Sequence, residues 1–193
     1  MGSEMCIRDR YRAMNDKFLA DYEAENLDIS AYHEFSLSPL IIMVTTGLNQ
    51  LHKKFMTQVI EPMKLSQANE LIEKHRQSGD RLLVITATNR LVVEPIISSF
   101  GIDEFLATDP EIISGRVTGK VIGSPTFREG KVERLKDWLT ENNESLEGSY
   151  FYSDSINDLP LLQEVDHPIA VDPDDALHKE SERRGWPIIS LRN

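Results

Sequence analysis

From about residue 65 onward, helical patterns alternate with short apolar runs, and this alternation limits the possible folds more than any other feature of the chain. Apolar runs of the strand type lie at residues 82–85, 105–107, 149–152, 167–171 and 186–189, with helical segments between most of them. Such alternation is typical of an α/β domain in which helices cover a mostly parallel sheet. Residues 112–121 add a predicted hairpin that turns at Ser114 and Gly115.

The chain before residue 65 has a different character. Residues 11–64 show helical periodicity and no convincing strand, so we expect a separate helical unit there. Residues 1–10 show no apolar period and no signal-peptide pattern, and we expect them to be a disordered or foreign leader. The predicted organisation is therefore a leader at 1–10, a helical unit at 11–64 and an α/β core at 65–193.

Composition restricts the class of protein and its partners. The 193 residues carry a formal net charge of −11 and a single cysteine, Cys6. The acidic balance argues against nucleic acid or an anionic membrane as the main partner, and one cysteine excludes an internal disulfide. No apolar run approaches the length of about 18 residues that a membrane helix needs. We therefore expect a soluble, cytoplasmic protein, and composition leaves room for a local basic pocket that binds a small anion.

The segment 150–158 changes abruptly from aromatic side chains to oxygen-bearing ones. A buried strand that ends in this way places its polar residues at the carboxyl edge of the sheet, where α/β proteins bind ligands. Asp154 and Asp158 lie in this segment without a neighbouring His or Cys, and such hard oxygen donors suit Mg²⁺. The alternative is a solvated loop with an Asx turn.

Two further polar residues occupy informative positions. Lys131 lies in the first turn of a predicted helix, where the helix dipole disfavours a cation, so a nearby anion would remove the conflict. The alternative is an exposed lysine paired with a glutamate. Thr86 follows the run at 82–85 and could equally be a helix cap.

The order of Thr86, Lys131, Asp154 and Asp158 resembles the haloacid dehalogenase (HAD) superfamily of phosphohydrolases. That family's second motif is an apolar strand ending in Ser or Thr, its third is a lysine, and its fourth is an acidic pair after a strand. The helical segment before the second motif and the hairpin at 114–119 resemble the phosphoserine phosphatase branch. The resemblance implies a Rossmann-like three-layer parallel sheet and assigns residues 11–64 to a helical cap.

The resemblance also implies a mechanism and a role for each matched residue. An aspartate attacks phosphorus, and water then hydrolyses the aspartyl-phosphate with the help of Mg²⁺. Thr86 would donate a hydrogen bond to the phosphate, Lys131 would balance its charge, and Asn157 would orient it. Asp154 would ligate Mg²⁺, and Asp158 would ligate it directly or through water and also hold Lys131. The cap would exclude water and select the substrate.

One departure from the family concerns the nucleophile. The family's first motif, an apolar strand followed by Asp-x-Asp-x-Thr, does not occur in the chain, and Asp9 lacks both the strand and the second aspartate. We expect an N-terminally truncated, inactive fragment without the central strand between 82–85 and 149–152. The alternatives are a non-catalytic protein that binds phosphate or Mg²⁺, and an unrelated doubly wound binding domain.

The substrate predicted from the resemblance is a small phosphorylated metabolite. Residues 86–89 (TATN) replace the Ser-Gly-Gly type of second motif found in phosphoserine phosphatases. Ser153 and Ser155 also stand where that branch usually has glycines. These differences argue against phosphoserine itself as the substrate.

Overall fold

The computed structural model describes residues 2–41 and 45–192, and the first part of it is helical. Asp28 caps the second helix, because its Oδ1 accepts hydrogen bonds from the amides of Ser30 and Ala31, both at 3.0 Å. The helical elements are α1 (Gly2–Glu23), α2 (Ile29–Ile41), α3 (Thr45–Phe55), a π-helical turn (Met56–Ile60) and α4 (Glu61–Met63).

Residues 2–10 of the segment expected to be a disordered or foreign leader are helical in the structure, while a foreign origin stays a prediction. Residues 2–10 form the first turns of α1 and continue without a break into the segment predicted to be helical. No proline or glycine interrupts residues 3–23, so a helix formed at residues 11–23 can propagate towards the amino end.

The second part of the chain alternates helix and strand, as predicted. Its elements are α5 (Ser66–Ser78), β1 (Leu83–Asn89), α6 (Arg90–Ser98), β2 (Glu104–Ile113), β3 (Arg116–Ile122), α7 (Glu129–Asn142), β4 (Tyr150–Ser153), a 3-10 turn (Ile156–Asp158), α8 (Leu159–Leu162), β5 (His167–Val171), α9 (Asp175–Arg184) and β6 (Ile188–Ile189). The mixed α/β class is therefore confirmed.

Two boundaries differ from the prediction. The run at 105–107 and the first hairpin strand form one continuous strand, β2, which turns into β3 at Ser114 and Gly115. Strand β1 extends to Asn89, so Thr86 lies within it rather than after it. The physical reason is pairing with β2, which resumes at Asn89 opposite Thr108 after an irregular stretch.

The described strands form two three-stranded sheets. The first has the order β1-β2-β3, with β1 parallel to β2 and β3 antiparallel. The second has the order β4-β5-β6 and is entirely parallel. Among the described residues no strand lies between β1 and β4, so each of these strands has one unpaired edge.

Each sheet has its own apolar core. The first core contains the buried side chains of Val93, Ile97, Ile102 and Ala107. The second contains Leu162, Ala170 and Leu177. No described helix is long and apolar enough to cross a membrane.

Candidate active site at the carboxyl edge of the strands

Strands β1 and β4 begin at the same edge of the molecule. Arg81, just before β1, donates hydrogen bonds to Asn142 Oδ1 at 2.7 Å and Glu144 Oε1 at 3.0 Å, and both of these residues precede β4. The segment before β1 therefore contacts the segment that leads to β4, and in a Rossmann-like fold we expect the carboxyl ends of both strands at the opposite edge. This is where ligands bind in open α/β sheets.

Thr86 lies where regular pairing between β1 and β2 stops. Ile85 pairs with Leu106, but the next pair is Asn89 with Thr108, so the intervening residues of β1 leave the ladder. The Thr86 hydroxyl accepts a hydrogen bond from the Thr88 amide at 3.1 Å. The backbone thus bends at Thr86, as it commonly does where a strand delivers side chains to a site.

A chain of hydrogen bonds joins this bend to the start of α7. Thr108 Oγ1 donates to the Ala87 carbonyl at 3.0 Å and accepts from the Thr126 amide at 3.2 Å. Both threonines are fully buried. The carboxyl end of β1 is therefore fixed relative to the loop that leads to Lys131.

Lys131 and Asp158 form a nearly buried ion pair. Lys131 Nζ lies 2.5 Å from Asp158 Oδ1, and the two side chains are only 9% and 12% exposed. The second oxygen of Asp158 accepts a hydrogen bond from Ser153 Oγ at 2.7 Å. The alternative of an exposed Lys131 paired with a glutamate is therefore wrong, since the fold buries this residue against Asp158.

The residue next to Lys131, Gly130, must lack a side chain for a structural reason. A Cβ at Gly130 would lie 2.2 Å from the Pro125 carbonyl oxygen, so the close approach involves the chain's own backbone. The glycine allows α7 to begin tightly against residue 125 and thereby places Lys131.

The segment after β4 is tied down by its own side chains. Ser155 Oγ accepts hydrogen bonds from the amide and the side-chain nitrogen of Asn157, both at 3.3 Å. Asp174, the N-cap of α9, accepts from the Ile156 amide at 2.9 Å, and its own amide donates to the Asp154 carbonyl at 2.8 Å. These bonds fix the turn that carries the predicted acidic residues.

Asn157 is buried beside an arginine that the sequence did not single out. Arg128 Nε donates to Asn157 Oδ1 at 2.9 Å, and its Nη2 donates to the Glu25 carbonyl at 2.7 Å. The backbone of Arg128 has φ 48° and ψ −120°, a conformation that is strained for a residue with a side chain. Strain of this kind concentrates at functional sites.

The last turn of α1 also reaches the site. The Tyr22 hydroxyl donates to Ser155 Oγ at 2.7 Å. Burial raises the pKa of the Tyr22 phenol above its usual value, so the hydroxyl keeps its proton at neutral pH. The helical part of the chain therefore contacts the turn that holds Asn157 directly through Tyr22, and indirectly through Arg128, which bonds both the Glu25 carbonyl and Asn157.

The oxygen ligands at this edge suit a hard cation that needs only one or two protein carboxylates. Asp154 presents an exposed carboxylate with no side-chain hydrogen bond among the described residues, while Asp158 already binds Lys131 and Ser153. No group of three or more His, Cys, Asp or Glu residues suited to a metal occurs in the described part of the chain. Mg²⁺ typically uses one or two carboxylates and completes its shell with waters and phosphate oxygens, so this set suits it.

The structure brings most of the predicted residues together. The turn after β4 carries Asp154, Asn157 and Asp158, and helix α7 carries Lys131, which pairs with Asp158. Among the described residues no hydrogen bond or ion pair joins Thr86 directly to these four side chains. Sequence reasoning missed Tyr22, Arg128 and Asp174. The closeness of Arg128 to Lys131 in sequence was the only available signal, because the contacts of Tyr22 and Asp174 are long-range.

Comparison of the sequence with known proteins identifies one family of hydrolases. A profile of the haloacid dehalogenase-like hydrolase family matches residues 6–163. A histidinol-phosphatase from Neisseria meningitidis serogroup C (strain 8013) is 42% identical over 93% of this chain and 83% of its own length. The chain spans only about half the length of some other curated relatives. One of these, a probable phosphatase from Mycobacterium tuberculosis, is 35% identical, and the match covers 69% of this chain and 46% of the relative.

Solved structures agree with the sequence relatives. A protein of unknown function from Bordetella pertussis Tohama I superposes with a TM-score of 0.87 at 40% identity, covering 93% of this chain and 82% of that one. A phosphoserine phosphatase solved as a phospho-aspartyl intermediate analogue gives a TM-score of 0.68 at 18% identity, with coverages of 92% and 79%. The second match concerns the fold alone.

Proposed function

The chain belongs to the haloacid dehalogenase-like hydrolase family, and we propose that it carries the phosphate- and metal-binding half of an enzyme that hydrolyses small phosphate monoesters. The observation that carries this proposal is the buried Lys131–Asp158 pair, 2.5 Å apart, beside Asp154 and Asn157. A buried cation next to an exposed carboxylate provides both a site for a phosphate and a site for its counterion.

Each residue of the site has a proposed role in binding. Thr86 donates its hydroxyl proton to a phosphoryl oxygen, and Lys131 neutralises phosphate charge as a preorganised group. Asn157 orients the phosphate, while Asp154 and Asp158 hold Mg²⁺. When bound, Mg²⁺ supplies positive charge against the phosphoryl oxygens. The Lys131–Asp158 contact keeps the ammonium group in place before substrate arrives.

The proposed chemistry requires a nucleophile that these residues do not provide. Family resemblance assigns that role to the first aspartate of an Asp-x-Asp-x-Thr motif, which forms an aspartyl-phosphate. The 193 residues contain no such motif, and Asp9 is an exposed residue on α1. We therefore expect this chain alone to bind phosphate and Mg²⁺ without turnover.

The helical part of the chain is the proposed lid over the site. Tyr22 contacts the site turn, the Glu25 carbonyl accepts a hydrogen bond from Arg128, and Ile41 of α2 lies close to Gly119 of β3. A lid of this kind excludes water and selects the substrate. Because a relative of 42% identity is a histidinol-phosphatase, the phosphate esters of amino alcohols are the first substrates to examine.

Hydrolysis of phosphate monoesters tests the proposal. The panel includes histidinol phosphate and phosphoserine, with and without Mg²⁺. The proteins are this chain and a version in which residues 1–10 are replaced by an apolar strand, an Asp-x-Asp-x-Thr motif and a connecting segment. We expect Mg²⁺-dependent release of phosphate only by the second protein, and loss of that activity in its Asp154→Asn variant. Turnover by the unaltered chain would contradict the assignment of the nucleophile.

A non-catalytic phosphate-binding protein is the second candidate, and the missing nucleophile motif is the observation that favours it. It predicts that both proteins bind inorganic phosphate or Mg²⁺ in calorimetry and that neither hydrolyses any ester. Failure of both proteins to bind either ligand would contradict both candidates.

A further inference from the structure

Arg128 is half-buried at the candidate site, and its charge has no carboxylate partner among the described residues. In the described part of the chain after residue 65, every arginine except Arg116 and Arg128 forms an ion pair with a carboxylate. Arg116 is exposed at the tip of the β2–β3 hairpin, where water solvates its charge. A cation that is partly removed from water is usually paired with an anion, so Arg128 departs from the pattern.

The contacts of Arg128 fix its side chain without neutralising it. Its Nε donates to Asn157 Oδ1 at 2.9 Å and its Nη2 donates to the Glu25 carbonyl at 2.7 Å, and both acceptors are neutral. The Nη1 nitrogen has no hydrogen-bond partner in the described part of the chain. A guanidinium group held in this way keeps N–H donors and its full charge for a bound anion.

Arg128 also determines how the side chain of Asn157 is turned. Guanidinium nitrogens can only donate, so the Asn157 atom that faces Nε must be the amide oxygen. The amide nitrogen is therefore on the other side, where it donates one hydrogen to Ser155 Oγ at 3.3 Å. Its second hydrogen has no partner among the described residues, so Arg128 and Asn157 together offer N–H groups to a ligand.

The charged side chains of the site balance only when Arg128 is counted. Lys131 Nζ is paired with Asp158 Oδ1 at 2.5 Å, and Asp154 presents an exposed carboxylate. The charge of Arg128 offsets that of Asp154, so the four side chains together are neutral. A bound Mg²⁺ ion would add two positive charges, which match the two negative charges of a phosphate monoester.

We propose that Arg128 is a further phosphate-binding residue of this site and that it makes the site selective for dianionic phosphate monoesters. Its free N–H groups contact a phosphoryl oxygen, as guanidinium groups do when they bind phosphate, while Lys131 stays paired with Asp158. A phosphate diester carries one negative charge and leaves one positive charge of the site without compensation. The inference rests on the proposed function, because it adds a residue to the same phosphate site.

Calorimetry with inorganic phosphate and Mg²⁺ tests the role of Arg128. Arg128→Gln should weaken phosphate binding in the presence of Mg²⁺ about tenfold, because a hydrogen bond to a charged group is lost. Binding of Mg²⁺ without phosphate should stay the same or become tighter, because a nearby positive charge is removed. A residue that only supported the turn would weaken both ligands. Arg128→Lys keeps the charge but not the planar fork, and should retain part of the phosphate affinity.

The matched control is Arg116→Gln, which removes the same charge from an exposed position and should leave phosphate affinity unchanged. Selectivity is measured on the parent protein at pH 8, where methyl phosphate is a dianion and dimethyl phosphate is a monoanion. We expect methyl phosphate to compete with inorganic phosphate about tenfold more strongly than dimethyl phosphate does.

The outcomes separate this inference from the proposed function. Unchanged phosphate affinity in Arg128→Gln, a parallel loss of Mg²⁺ affinity in that variant, or equal competition by the two methyl esters would overturn the role of Arg128 and leave the proposed function standing. Failure of the parent protein to bind inorganic phosphate in the presence of Mg²⁺ would overturn the proposed function and this inference together.

Discussion

At the level of single residues, the Lys131–Asp158 pair combines stability with the proposed function. Its side chains are almost entirely removed from water, and Ser153 satisfies the second carboxylate oxygen. Replacing one member of a buried pair leaves the other charge without compensation, which costs more than the pair contributes when intact.

Lys131→Met should therefore lower the free energy of unfolding by about 3 kcal/mol, because it leaves the nearly buried Asp158 without its cationic partner. Urea denaturation measures this change. Lys136→Met on the same helix is the control, since Lys136 is 58% exposed and its contact with Glu164 at 3.2 Å should be worth less than about 1 kcal/mol. Equal losses in the two variants would contradict the burial of the site pair.

His33 on α2 is a second residue whose environment gives a testable result. The side chain is 1% exposed, and neither ring nitrogen has a hydrogen-bond partner among the described residues. Burial lowers the pKa of His33 below its usual value, because the charged ring is disfavoured there. The unfolded chain therefore takes up this proton at a higher pH than the folded chain does.

His33→Leu should raise the free energy of unfolding by about 1 kcal/mol at pH 8, because a buried unpaired imidazole is replaced by an apolar side chain of similar volume. In the parent protein the stability due to neutral His33 is complete above the unfolded pKa of about 6.5 and is lost as the pH falls through that value towards the folded pKa. The variant should lack this loss when unfolding is measured from pH 8 to pH 5. His178→Leu, on an exposed position of α9, should give no gain, and a destabilised His33→Leu protein would show that the ring has partners.

At the level of elements, α9 and the site turn are joined through one side chain. Asp174 caps α9 by accepting from the Leu177 amide at 2.7 Å, and its second oxygen holds the Ile156 amide at 2.9 Å. The start of the helix and the turn after β4 therefore share a hydrogen-bond acceptor.

Asp174→Ala should cost about 1–2 kcal/mol in unfolding free energy and should also weaken binding of inorganic phosphate in the presence of Mg²⁺, since the turn loses an anchor. Urea denaturation and calorimetry measure the two effects. Asp28→Ala removes a comparable cap from α2; among the described residues the Asp28 side chain bonds only the amides of Ser30 and Ala31. It should lower stability without changing phosphate affinity; a parallel loss of affinity in both variants would contradict a specific link through Asp174.

Several elements were predictable from the sequence because the signals were local. The run at 167–171 became β5 with the same bounds, and the Ser114–Gly115 turn formed the expected hairpin. Other features depend on contacts between distant parts of the chain. The extension of β1 through Thr86 follows from pairing with β2, and the left-handed backbone of Arg128 has no signature in its side chain.

The candidate site was predictable to a similar extent. The order of Thr86, Lys131, Asp154 and Asp158 located it, but the partners that hold these residues came from elsewhere. Tyr22 is 133 residues from Ser155 in sequence, and a single tyrosine on an amphipathic helix carries no indication of such a contact. Contacts between residues so far apart in the sequence can be identified only in the folded structure.

At the level of the whole molecule, Tyr22 connects the helical part to the α/β part. Its hydrogen bond with Ser155 is partly buried. A second hydrogen bond, from the Arg128 side chain to the Glu25 carbonyl, also joins the two parts. If the helical part moves as a lid, these contacts are among those that must break, together with the packing of α2 on β3.

Tyr22→Phe should increase hydrogen exchange of the last turn of α1 several-fold, up to about tenfold, because one hydrogen bond contributes about 0.5–1.5 kcal/mol. Exchange in the first residues of β5, which pair with Tyr150 and Phe151 of β4 and not with the site turn, should not change. Tyr32→Phe makes the same chemical change at a hydroxyl without a hydrogen bond among the described residues, and should leave α1 as it is. Identical exchange in the parent and Tyr22→Phe proteins would rule out a role for this bond in holding α1.

The two separate apolar cores have an evolutionary consequence. Val93, Ile97, Ile102 and Ala107 pack in one half, and Leu162, Ala170 and Leu177 pack in the other, with no buried residue shared between the clusters. Substitutions in groups that share no partner have nearly additive effects on stability. Each half can therefore accumulate changes in its interior without a compensating change in the other, and covariation between distant interior positions should be confined to within a half.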